Sequence, residues 1–78
     1  MIKTLKDAEK IIDGLNTGEI LKLKTCDTQI CFTKTGCREF ENNEVGEIGE
    51  DSKDVIVKTL YKNRKLYNHQ YCWEEMIK

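Results

Sequence analysis

Proline is absent from the 78-residue chain, so no helix in it is interrupted by that residue's missing N–H. Histidine occurs once, as His69, which leaves a single side chain whose ordinary pKa lies near neutrality. Long apolar runs are missing: Ile30-Cys31-Phe32, Val55-Ile56-Val57 and Tyr71-Cys72-Trp73 are the longest, at three residues each. Crossing a bilayer takes ~20, so no membrane segment is expected. Lys3, Lys6, Asp7, Glu9, Lys10 and Asp13 break up the first fifteen positions. That leaves no apolar stretch for a secretory signal, and a cytoplasmic location is expected. Net charge is nearly absent too, with 13 basic against 14 acidic residues and a sum of −1. No overall basic field therefore drives generic binding to nucleic acid. The phosphate-cradling G-x-x-x-x-G-K-[ST], the dinucleotide G-x-G-x-x-G and the zinc-protease H-E-x-x-H are all missing.

What remains is enough for one small domain over 1–78, because a typical domain takes ~100–150 residues and a second core has no material. Leu, Ile, Val and Phe make up about a quarter of the chain, above the ~20% below which charged chains stay disordered. A domain of this size buries only ~60% of its unfolded surface.

Leu5, Ala8, Ile12 and Leu15 recur at spacings of three and four, with Ile11 beside them, which predicts a helix near 4–15 capped by Thr4 with Asp7 in its first turn. Asn16-Thr17-Gly18 ends it. From Glu19 the period changes to two: Leu21, Leu23 and Thr25 alternate with Lys22 and Lys24, as in a strand with one wet face. Cys26-Asp27-Thr28 and Thr35-Gly36 are turn candidates. Between and after them lie a strand carrying Ile30 and Phe32 and a weaker strand carrying Phe40 inward. The segment 42–49 is a loop or a short fourth strand. Asp51 or Ser52 can cap a helix near 52–63, although β-branched Val55-Ile56-Val57 also suits a strand. A break is expected over 63–68, then a short helix carrying Cys72, Trp73, Met76 and Ile77.

The predicted fold class is α+β. A three-stranded antiparallel meander over 19–42, with a fourth strand as the variant, has the N-terminal helix and C-terminal helices on one face and water on the other. The expected core is Leu5, Ile12, Leu15, Leu21, Leu23, Ile30, Phe32, Phe40, Ile56, Leu60 and Trp73.

Four cysteines invite a zinc or disulfide reading, but Cys26, Cys31 and Cys37 are spaced by four and five residues and Cys72 stands far away. A zinc knuckle aims two thiolates at one ion across two to four residues. Cys26 and Cys37 fall in the predicted turns and Cys31 points away from Ile30 and Phe32. Free thiols are expected, with no metal and no cofactor; a zinc-stabilised structural domain is the third reading of the chain. His69 lies one helical turn before Cys72, yet no orienting group or glycine-rich oxyanion loop accompanies the pair. An enzyme is not expected.

Charge is strongly segregated. Residues 39–54 hold Glu39, Glu41, Glu44, Glu47, Glu50, Asp51 and Asp54 against Lys53 alone, and 58–65 reverse the sign with Lys58, Lys62, Arg64 and Lys65. An acidic stretch of this kind is either merely solvated or a contact surface for a basic partner. In a strand, Glu39 and Glu41 would lie ~6.8 Å apart, about two nucleotide rises, a spacing that permits nucleic-acid mimicry without requiring it.

The leading expectation is a small non-enzymatic regulator or inhibitor that binds a basic protein partner, itself a nucleic-acid-binding protein in one version, through Glu39, Glu41, Glu44, Glu47, Glu50 and Asp51. Eleven lysines to two arginines, eight isoleucines and five asparagines are what an A/T-rich coding sequence yields. That association points to bacteria and their phages, and so to a host-defence inhibitor of the anti-CRISPR kind. The alternative is a single-stranded nucleic-acid-binding module over 58–73, in which Lys58, Lys62, Arg64 and Lys65 meet phosphates and Tyr67 and Tyr71 stack on bases. Against it stands the need of so small a core to cover one end with these aromatics.

Overall fold

The computed structural model describes residues 1–42 and 44–69. Its elements are α1 (Leu5–Asp13), β1 (Leu21–Lys24), β2 (Thr28–Phe32), β3 (Cys37–Glu41) and α2 (Lys53–Lys62), and the chain is helical again over 64–69. The strands form one antiparallel sheet in the order β1-β2-β3, the α+β meander that the periodicity predicts. No fourth strand forms among the described residues. The helix expected around Cys72 and Trp73, and with it Tyr71, lies outside them.

Local chemistry sets the element ends. Thr4 is extended and its hydroxyl accepts from the Asp7 N–H at 3.2 Å, while the Asp7 carboxylate accepts from the Thr4 N–H at 3.1 Å. Two orphan donors of the first turn are thereby satisfied reciprocally. Gly14 closes α1 by donating to Lys10 O at 3.0 Å, one turn before the expected stop at Asn16-Thr17-Gly18. Ser52, not Asp51, caps α2 by accepting from the Val55 N–H at 3.4 Å. Val55-Ile56-Val57 is helical because Ile56, Val57 and Leu60 then fall on one buried face, and tertiary burial overrides the β-branched preference. The expected break over 63–68 shrinks to Asn63, whose carbonyl accepts from the Tyr67 N–H at 3.2 Å and so restarts the helix at once.

One side-chain device closes both hairpins. Thr25 N–H donates to Thr28 O at 2.9 Å while Thr25 Oγ1 accepts from Thr28 N–H at 2.9 Å. Thr33 repeats this with Gly36, at 2.7 and 2.9 Å. A threonine hydroxyl thus replaces the main-chain acceptor on the inner side of each turn. Both turns are short, so they fix the side-chain parity of all three strands. Leu21 opposes Phe32, Leu23 opposes Ile30, and Cys37 and Glu39 follow on that same face of β3.

The core forms where this face meets the helices: Leu21, Leu23, Ile30 and Phe32 pack with Ala8, Ile12, Leu15, Ile56 and Leu60. Two expected core members are displaced. Leu5 is 46% exposed and lines a shallow groove between the helices with Lys6, Glu9, Lys53 and Val57; Ile2, from the segment ahead of α1, is buried in the core. Phe40 opposes Gln29, so the parity of the second turn sends it to the other face of the sheet, where it is half-buried.

That second face departs from the expected wet surface. Gln29 and Cys31 are both buried on it, with Gln29 Nε2 3.8 Å from Cys31 Sγ. Over the β3 side of this face passes the irregular segment 44–51, a strap held by main-chain atoms. Arg38 Nη1 donates to Glu47 O at 3.1 Å, and Asp51 N–H donates to Thr35 O at 2.9 Å. A Cβ on Gly36 would run into the Gly49 carbonyl, and one on Gly46 would lie 3.1 Å from Phe40 Cε1. Both glycines therefore let the strap approach closely.

Candidate functional site

β3 is the outer strand on one side of the sheet, and the strap passes over the face opposite to that of Glu39 and Glu41, so the acidic residues of 39–51 flank this edge from both faces of the sheet. Glu39 and Glu41 project from β3 on the core side of the sheet, yet both are exposed, as are Glu44, Glu47 and Glu50 on the strap. None of these five carboxylates is ion-paired with a cation among the described residues. The ion pairs there join Lys53 to Asp13 at 2.8 Å and to Glu9 at 3.9 Å, and Lys58 to Asp54 at 3.0 Å. The hydrogen bond that Lys53 donates to the Asp13 carboxylate raises the Lys53 pKa above its ordinary value.

Asp51 differs from the other acids. Its Oδ2 accepts from the Cys37 N–H at 3.2 Å, so it fastens the strap to the start of β3. Arg38 is the single cation between residues 35 and 52, and it is already engaged. Its guanidinium lies 5.4 Å from the Phe40 ring centroid and reaches the Glu47 carbonyl, not a carboxylate. Its isolation amid acids was a visible sequence signal for a structural role, and composition arithmetic alone passed over it.

The basic and aromatic residues of the alternative reading are arranged differently. Lys58 is paired with Asp54. Arg64 covers the Tyr61 ring at 4.3 Å and donates to Tyr61 O at 3.1 Å. Tyr67 packs against the core, Lys62 and Lys65 are exposed, and Tyr71 lies outside the described residues. The two described tyrosines of this region thus have a ring face stacked on Arg64 or a side chain packed inward, an arrangement poor for base stacking.

The cysteines are dispersed. Cys26 is exposed in the first turn, Cys31 is buried, and Cys37 opens β3 half-buried instead of sitting in the turn before it. The Thr33–Gly36 turn centres on Lys34 and Thr35, one residue earlier than the expected Thr35-Gly36, and Cys37 pairs with Phe32 at the first position of the strand. Burial raises the thiol pKa of Cys31 above its ordinary value, against the opposing influence of Gln29 and Lys22. Burial also raises that of Cys37, beside Thr59 and Asp51. No cluster of three His, Cys, Asp or Glu among the described residues is placed to hold a metal ion. His69, the last described residue, is exposed, and Cys72 lies outside the described residues. No helix among them is long and apolar enough to cross a membrane. Comparison with family models, with curated proteins and with solved structures found no match.

Proposed function

We propose that the chain is a small non-enzymatic regulator or inhibitor that binds a protein partner stoichiometrically through the acidic edge formed by β3 and the strap. The observation that carries this reading is the set of exposed carboxylates Glu39, Glu41, Glu44, Glu47 and Glu50, none of them neutralised by a cation of the described chain. Like charges gathered on a short edge repel one another, and a basic surface brought against them relieves that repulsion. Such complementarity chiefly raises the association rate and selects the partner. A nucleic-acid-binding protein fits the requirement because its working surface is basic. Inhibition of a bacterial host-defence protein, in the manner of an anti-CRISPR, is the specific form favoured by the A/T-rich character of the composition.

The test compares the wild-type chain with a variant in which Glu39, Glu41, Glu44 and Glu47 are reversed to lysine. Partners captured from bacterial lysate by the wild type should be lost from the variant. With the purified partner, association should slow, and the difference should shrink as salt rises past ~0.15 M, where the Debye length is only ~8 Å. A partner held equally well by both chains would defeat the proposal. Submicromolar binding of a labelled single-stranded oligonucleotide at physiological salt, abolished by neutralising Lys58, Lys62, Arg64 and Lys65, would replace it with the nucleic-acid reading.

A further inference from the structure

We propose that the outer edge of β3 takes up an extended, lysine- or arginine-bearing segment of the partner as an added strand. The inference rests on the reading of the acidic edge as the contact surface and specifies how that surface is engaged.

The hydrogen-bond parity of the sheet carries the argument. Thr33 N–H donates to Gly36 O at one end of the β2–β3 ladder and Asn42 N–H to Asp27 O at the other. In an antiparallel pair the bonded positions recur every second residue. Gly36, Arg38, Phe40 and Asn42 therefore turn their main-chain groups toward β2, while Cys37, Glu39 and Glu41 turn theirs outward. On that outer side the Asp51 carboxylate takes the Cys37 N–H, and the Glu41 carbonyl accepts from Glu44 N–H at 3.1 Å. The Cys37 carbonyl, both groups of Glu39 and the Glu41 N–H have no partner within the described chain. They alternate acceptor, donor, acceptor, donor along the strand, the pattern that an antiparallel strand completes. Exposed edges of this kind are templates for pairing unless something guards them.

Charge decides which strand fits. A residue added directly opposite Glu39 lies on the same face as the Glu39 side chain, and its neighbours two positions away come beside Glu41 and Cys37. Basic residues at alternate positions of the incoming segment would thus meet Glu39 and Glu41, which no cation of the described chain neutralises. A second copy joined through its own β3 would instead set these glutamates against each other. The opposite edge of the sheet, at β1, carries the exposed Lys22, the usual guard of an exposed strand, which repels a basic segment. The two edges therefore differ in sign, and β3 alone suits a cationic strand.

The experiment uses the full chain, labelled with ¹⁵N, and two blocked peptides in which lysine alternates with threonine. They are identical except that the second carries N-methyl groups on its lysine amides, which removes strand donors and keeps the charge. At low salt the first should bind about tenfold more tightly than the second, a difference of ~1.4 kcal/mol that the loss of one or two strand hydrogen bonds supplies. It should also slow hydrogen exchange at the Glu39 and Glu41 amides. Equal affinities with no protection at these amides would mean attraction without strand addition, and would overturn this inference while leaving the acidic contact surface in place. Failure of both peptides to bind would overturn the inference and that surface together. Protection of Glu39 that arises without peptide as protein concentration rises would assign the edge to a second copy and overturn the inference as well.

Discussion

The side-chain amide of Asn68 pairs with the main chain of Ile2 as a strand would: Oδ1 accepts from the Ile2 N–H at 2.7 Å, and Nδ2 donates to the Ile2 carbonyl at 3.0 Å. Ile2 is buried in the core, so its two main-chain groups are held away from water and need this partner. One polar side chain on the 64–69 helix thereby fixes the segment ahead of α1 and seats an aliphatic side chain that no helix or strand presents.

Asn68→Ala should cost about 1–3 kcal/mol, the penalty for leaving part-buried backbone groups unpaired. Asn68→Asp should also destabilise, because a carboxylate accepts from the Ile2 N–H but faces the Ile2 carbonyl with no hydrogen to offer. Urea denaturation measures both. An unchanged midpoint for Asn68→Ala would show that the pairing contributes nothing to stability.

Leu23 is fully buried, whereas Leu5 is 46% exposed. Leu23→Ala and Phe32→Ala should each cost ~2–5 kcal/mol, a large part of the stability of a domain this small. Leu5→Ala should fall far below either. Thermal melts of the three variants check the order, and equal losses would contradict the packing described.

The two glycines at the fastening of the strap should respond in opposite ways. Gly36→Ala places a methyl group against the Gly49 carbonyl, while Gly49→Ala meets no heavy atom within 4 Å. The first should destabilise by about 1–3 kcal/mol or push the strap aside, and the second should be nearly silent. Melting temperatures together with the amide shifts of 44–51 separate these outcomes.

Hydrogen bonds from the main-chain N–H groups of Lys3, at 2.9 Å, and Thr4, at 3.1 Å, hold the Asp7 carboxyl below the usual carboxylate pKa. The unfolded chain, with its Asp7 near ~3.9, then binds more protons than the folded one in acid. Asp7's contribution is complete above ~3.9 and is lost as pH falls through the lower folded value. The urea midpoints of wild type and Asp7→Asn should differ near pH ~7 and converge toward pH ~2. A gap that persists unchanged in acid would assign the effect to something other than the carboxylate charge.

Periodicity made much of this fold legible. Thr4 with Asp7, the alternation from Leu21 to Lys24 and the stripe of Ile56 and Leu60 each announce an element, because local pattern and tertiary burial agree there. The turns were legible only in part. Their positions follow from composition, but the inward placing of Phe40 failed on parity, which depends on how Thr33 closes its turn with Gly36. Nothing periodic marks the strap, since it is fastened to Arg38, Thr35 and Cys37 by contacts without a repeat. The acidic stretch itself is plain in the sequence. That Asp51 is a fastener while Glu39 and Glu41 flank backbone groups without a partner among the described residues emerges only from the register of β3.

The manner in which the strap is fastened bears on how freely its sequence can change. Its carbonyls and amides meet Arg38, Thr35 and Gly36, while the side chains of Glu44, Val45, Glu47 and Glu50 stay exposed. The fold therefore constrains the path of this segment and leaves those four positions almost unspecified. Substitution there draws little on stability, so the surface can be re-lettered for a changed partner while Gly36, Arg38, Gly46 and Asp51 stay in place.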